Sequence, residues 1–124
     1  MTDVVTLQLP RERDFFGVAH LVLGGLGARL DLTYDVLEDM TTAIDELLNR
    51  REQSEDVTLT VQIEEDAIVA TVGPFGGRVA EELRASDAGL GLRRVLETSV
   101  DAVDVSERDG TQWVELRKSL KGGG

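Results

Sequence analysis

The sequence predicts an α+β fold, a two-layer sandwich in which a mixed, mostly antiparallel five-stranded sheet carries three helices on one face. Three observations lead to it. Segments with the two-residue hydrophobic period of strands stand at the start, in the middle and at the end of the chain. Two helical stripes lie between the first strand and the second, and a third precedes the last pair. Finally, Asp109-Gly110 sits between two strand-like runs, the dipeptide of a tight hairpin.

Residues 4–9, Val-Val-Thr-Leu-Gln-Leu, are rich in β-branched side chains and are closed by Pro10, which predicts a first strand at a sheet edge. A helix follows, in which Phe15, Ala19, Val22 and Leu26 recur at helical spacing beside Phe16 and Leu23. The run Gly24-Gly25-Leu26-Gly27 is expected to end it early, since each interior glycine costs ~1 kcal/mol. Thr33 is the expected N-cap of the second helix, with Asp35 and Glu38 in its early turns and Arg50 and Arg51 near its end. Its apolar stripe is Val36, Leu37, Met40, Ile44, Leu47 and Leu48.

Val57, Leu59, Val61 and Ile63 alternate with Thr58, Thr60, Gln62 and Glu64, the pattern of a half-covered strand that turns at Glu65-Asp66. Residues 67–72 are apolar on both faces and predict a central strand, broken by Gly73-Pro74-Phe75-Gly76-Gly77. A short helix over 79–84 is expected next, then a helix with Leu92, Val95, Leu96 and Val100 on one side. Residues 102–106 and 111–117 flank Asp109-Gly110 as the closing hairpin. Trp113 on its second strand packs in the core, covers the open sheet face or joins an interface, with the core reading preferred.

A chain of 124 residues with 41% apolar residues can close one core, so residues 1–120 are expected to form one domain and 121–124 a disordered glycine tail. Thirteen basic against twenty-four acidic residues leave a formal charge of -11, which repels phosphates and anionic lipid. Nucleic acid and membrane are therefore not expected partners. A basic protein surface is, although an acidic excess also serves solubility. The absence of cysteine fits a reducing cytoplasm, and with a single histidine, His20, neither a zinc site nor a histidine-centred triad is expected. His20 reads as a surface or partly buried helix residue. Residues 1–16 lack a basic stretch followed by an apolar one, so no signal peptide is expected, and the longest apolar run, residues 18–26, falls far short of the ~20 residues that span a bilayer.

Two constellations carry chemistry. Asp87-Ala88-Gly89-Leu90-Gly91-Leu92-Arg93-Arg94 reads as a glycine-rich loop turning into a helix, where backbone N–H groups and the helix dipole favour an anion. A loop end at Gly89 and close packing at Gly91 are the plainer alternative. The second is Asp45 with Asn49, one turn apart on the second helix and beside its apolar stripe, where they line a cleft or are simply solvated. Glu46 is rotated ~100° away and cannot stand in for Asp45. Arg78, Arg84, Arg93 and Arg94 surround the glycine runs and neutralise phosphates or pair with Glu81, Glu82 and Asp87.

The element order, the Asp45/Asn49 spacing, the break at 73–77, the Gly-Leu-Gly-Leu box and the Gly110-Thr111 pair together resemble a GHKL-type ATPase domain of the Bergerat fold. The resemblance runs from Val4 to Lys118 and is strongest to the bacterial anti-sigma factor serine kinases. It implies ATP and Mg²⁺ as cofactors, with Asp45 as general base and Asn49 on the metal. It further implies Gly77, Gly89, Gly91 and Thr111 as nucleotide contacts. The partners implied are a sigma factor, an anti-anti-sigma protein and a second copy of the chain.

The chain departs from that pattern at three places. Asp45 replaces a glutamate and draws the carboxylate back ~1.5 Å. Gly73 replaces the aspartate that accepts the adenine amino group, and Phe75 the first glycine of the same box, with only Gly77 kept. The histidine or second polar residue usual one turn after the asparagine is missing, with Gln53 in its place. A lost hydrogen bond to a charged acceptor is worth ~1.5 to 3 kcal/mol, so Gly73→Asp is expected to raise ATP affinity by roughly ten to more than a hundredfold. Two functions follow from the resemblance. One is a regulator with ATP-dependent serine kinase activity; the other is a noncatalytic partner-binding module that has lost its nucleotide.

Overall fold

The computed structural model describes residues 4–9, 16–30, 32–49, 56–64, 66–75, 81, 83 and 92–120. Five strands, β1 (Val4–Leu9), β2 (Val57–Glu64), β3 (Ala67–Phe75), β4 (Ala102–Arg108) and β5 (Thr111–Ser119), form one sheet in the order β1-β2-β3-β5-β4. All four pairings are antiparallel. Among the described residues, the helices α1 (Phe16–Leu30), α2 (Tyr34–Asn49) and α3 (Leu92–Glu97) complete the two-layer α+β architecture expected.

Alternation decides which sheet face meets the helices. Val57, Leu59 and Val61 of β2, Ile68, Ala70 and Val72 of β3, and Val114 and Leu116 of β5 share one core cluster with Ala19, Leu23 and Leu26 of α1, Val36, Met40, Ala43, Ile44, Leu47 and Leu48 of α2, and Leu92 and Leu96 of α3. The opposite face carries Thr6, Thr60, Thr71, Glu115 and Asp104 as one cross-strand row. That row cannot form a second core, and the face stays open. An ion pair between Glu64 and Arg117, 2.9 Å, spans β3 on this side, and Lys118 reaches α2 at Asp39 on the other, 3.0 Å.

Three expectations are corrected by packing. α1 does not stop at its glycines but continues to Leu30. The reason is tertiary: Gly27 lies directly under the Leu37 side chain of α2, so the residue that is poor for an isolated helix permits the two helices to touch. β3 does not break at Gly73 but runs to Phe75 through a cis Gly73-Pro74 peptide, with a register shift between Val72 and Phe75. Trp113 is not in the core. Its neighbour Val114 is, so Trp113 stands half-buried on the open face.

The remaining local signals are borne out. Thr33 caps α2, its hydroxyl accepting from the Val36 N–H at 3.3 Å. Asp109 and Gly110 take φ of 51° and 82°, the left-handed pair that a two-residue hairpin requires. Residues 81 and 83 are helical; the rest of the expected 79–84 helix, and the glycine tail, lie outside the described residues.

Candidate functional site

α2 positions the first constellation. Its stripe of Val36, Met40, Ala43, Ile44, Leu47 and Leu48 is buried against the sheet, which rotates Asp45 and Asn49 onto a flank that water reaches. Asp45 and Asn49 therefore share an accessible edge of the helix layer, Asn49 as the last residue of α2.

Asp45 already has a partner there. Its Oδ1 lies 2.7 Å from Nε2 of His20 on α1, with 45% and 37% of the histidine and aspartate side chains exposed. The pair joins two helices across 25 residues of sequence. His20 is the residue of this flank that the sequence did not reveal, because helical phase orders residues within one helix and says nothing about which meet between two.

The second constellation lies partly outside the described residues: Gly77, Gly89 and Gly91 are among those not described. Its arginine is placed, however. Arg93 donates from Nη1 to the Leu83 carbonyl at 2.9 Å and from Nη2 to the Val103 carbonyl at 3.1 Å, and its Nε lies 3.3 Å from Glu97. The guanidinium is spent on tying α3 to the chain before it and to β4, not held out toward an anion. Arg94 is exposed.

Thr111, expected at the nucleotide, is likewise engaged. Its hydroxyl donates to the Arg108 carbonyl at 2.8 Å and accepts from Trp113 Nε1 at 3.2 Å. The Arg108 guanidinium stacks over the same indole, 4.7 Å from its centre.

The box at 73–77 gives the sharpest result. A Cβ built on Gly73 would lie 2.5 Å from Cδ2 and 2.7 Å from Cε3 of Trp113. Any side chain at 73 would thus meet the indole on the open face, whereas Asp45 and Asn49 belong to the helix layer on the other. The register shift then turns Phe75 inward, where it is 2% exposed within the core cluster. The described residues do not fit an adenine read from position 73. An aspartate at 73 would displace Trp113 and point away from α2, so Gly73→Asp does not bring the gain in ATP affinity that the resemblance implies.

Among the described residues no group of three or more His, Asp or Glu stands close enough to hold a metal unaided, and no described helix is long and apolar enough to cross a membrane.

No protein-family model matches the chain. It is similar to the serine-protein kinase RsbW of Listeria innocua, 27% identical over 138 aligned residues that cover 92% of this chain and 86% of the relative. To the RsbW of Bacillus subtilis it is 25% identical, over 97% of this chain and 88% of that one. In the first alignment 138 positions correspond to 92% of 124 residues, about 114, so about 24 positions have no residue here. The fold is that of a crystal structure of the RsbU and RsbW domains of a Mycobacterium tuberculosis protein, with a TM-score of 0.70 at 12% identity. That match covers 95% of this chain and 32% of the other. The chain thus resembles the RsbW serine-protein kinases along nearly its whole length, in sequence and in fold.

Proposed function

We propose that this chain is a regulatory protein of the anti-sigma kind, which binds a sigma factor, an anti-anti-sigma protein, or each in turn. The observation that carries this reading is the likeness to RsbW kinases over 92–97% of the chain on a matching fold. Two features support it. A formal charge of -11 disfavours nucleic acid and favours a protein partner with basic character. β1 is an edge strand, paired to β2 on one side among the described residues, which offers a second copy of the chain a route to pair. Residues 1–120 then act as one domain, in the cytoplasm where transcription is controlled.

The accessible Asp45 and Asn49 pair supports a second reading, in which the regulator is also an ATP-dependent protein serine kinase with Asp45 as base and Asn49 on Mg²⁺; the Asp45 contact with His20 and the misfit at 73 and 75 weigh against it. One experiment addresses both. The immobilised chain is offered purified sigma factors and anti-anti-sigma proteins of its source, and retained partners are then incubated with labelled ATP and Mg²⁺. Saturable retention of either class supports the regulator; retention of neither refutes it. Label on a partner serine, lost with Asn49→Ala, supports the kinase.

A further inference from the structure

We infer that this chain has no base-recognition half of a nucleotide site, because Gly73 seats Trp113 on the open face while Phe75 is buried in the core on the other, so that it engages its partner without nucleotide control. The second clause rests on the regulatory reading above; the first rests on the structure together with the positions that the resemblance assigns to adenine.

The argument begins with the sheet. Val72 and Val114 pair on the core face, so Gly73 and Trp113 both fall on the open face, and the bare Cα of Gly73 is what lets the indole lie flat on β3. A Cβ there would stand 2.5 Å from the ring, closer than carbon atoms can approach. The indole is held from its other sides as well, by the hydrogen bond to Thr111 and by the Arg108 guanidinium stacked on it. Gly73 is thus a seat for Trp113.

Phe75 closes the other side of the sheet. Without the register shift, the two-residue period would put it on the open face with Gly73; with the shift it is buried against the helices. One irregularity therefore separates the two positions that the resemblance assigns to one adenine. The separation is a matter of backbone geometry, which restoring a single side chain cannot undo.

Three further described groups that the sequence would turn toward a nucleotide are also engaged within the protein, while Asn49 stays exposed. Asp45 meets His20, Arg93 meets two carbonyls, and Thr111 meets Trp113. A nucleotide would have to break these contacts before forming its own.

The test is thermal unfolding and calorimetric titration of the full-length protein with ATP, ADP and GTP, each with and without Mg²⁺. A site with a dissociation constant of about 10 µM would raise Tm by roughly 10 °C at about 1 mM nucleotide. The expected result is no shift and no saturable heat. Gly73→Asp is expected to lower Tm without creating a site, and Trp113→Ala in the same chain to relieve that loss, again without nucleotide binding. If Gly73→Asp alone fails to fold, the double variant and Gly73→Ala report the same contact.

Saturable binding of Mg²⁺-ATP to the unmodified protein, weakened by Asn49→Ala, would overturn the inference. So would a gain of binding in either aspartate variant. A sigma factor or anti-anti-sigma partner retained equally with and without ATP supports the second clause, and a several-fold change in its affinity on adding ATP overturns it. Failure of the regulatory reading looks different: no partner of either class is retained, while the nucleotide titrations stay flat.

Discussion

Replacing Gly24 or Gly25 with alanine is expected to stabilise the protein, and replacing Gly27 with alanine to destabilise it, although all three lie in the same helix. An interior glycine costs ~1 kcal/mol relative to alanine, because it surrenders more backbone freedom on folding. At Gly24 and Gly25 a new Cβ would meet nothing within 4 Å, so each substitution should gain most of that ~1 kcal/mol. For a chain of this length that is a rise in Tm of roughly 3 to 5 °C. At Gly27 the new Cβ would overlap the Leu37 side chain. Relieving such overpacking costs ~1 to 3 kcal/mol, which offsets or exceeds the gain and leaves a net loss of ~0 to 2 kcal/mol. The assay is urea and thermal unfolding of the three variants, of Leu37→Ala, and of Gly27→Ala with Leu37→Ala. Because the obstacle is a single side chain, its removal should rescue Gly27→Ala by ~1 to 3 kcal/mol in a double-mutant cycle. If Gly27→Ala raises Tm as Gly24→Ala does, or if the cycle shows no coupling, the account of how α1 and α2 pack is wrong.

Arg93→Ala leaves the Leu83 and Val103 carbonyls without its guanidinium and should cost about 2 kcal/mol in urea unfolding, allowing for its partial exposure. Arg93→Lys should recover little, since one ammonium cannot span two carbonyls and a carboxylate; faster amide exchange over 92–105 in both variants would confirm the tie. The exposed His20 and Asp45 pair should contribute less than ~1 kcal/mol to stability and weaken with salt, so a double-mutant cycle with a larger coupling would refute its surface character. The Tyr34 phenol is held above its ordinary range by its hydrogen bond to Glu38, then by the charges of Glu38 and Asp35. It therefore favours the folded state below the pKa of the unfolded phenol, and this contribution fades as pH rises through the folded value. Absorbance titration near 295 nm should show Glu38→Gln lowering that value toward the ordinary one, and an unchanged titration would refute the pairing.

What was legible in the sequence was whatever depends on neighbours along the chain. β1 and β2, the Thr33 cap, the α2 stripe and the Asp109-Gly110 turn all express a period or a local dihedral, and each stands where the residues place it. The Asp45/Asn49 edge was legible for the same reason, since four residues is one helical turn.

Tertiary structure decided the rest. Helix propensity disfavours the glycines of α1, yet contact with Leu37 makes Gly27 a packing requirement. A one-residue shift in β3, invisible to any hydrophobic count, sets Gly73 and Phe75 on opposite faces. His20 meets Asp45, and Trp113 meets Gly73, only because separate segments are folded against each other. The sequence by itself determined the architecture, the helix-borne pair and the resemblance to anti-sigma factor serine kinases, because periodicity and spacing are local. Whether the nucleotide positions of that architecture remain a site was decided by the sheet register and by side chains distant in sequence, because the space around a residue belongs to the folded chain.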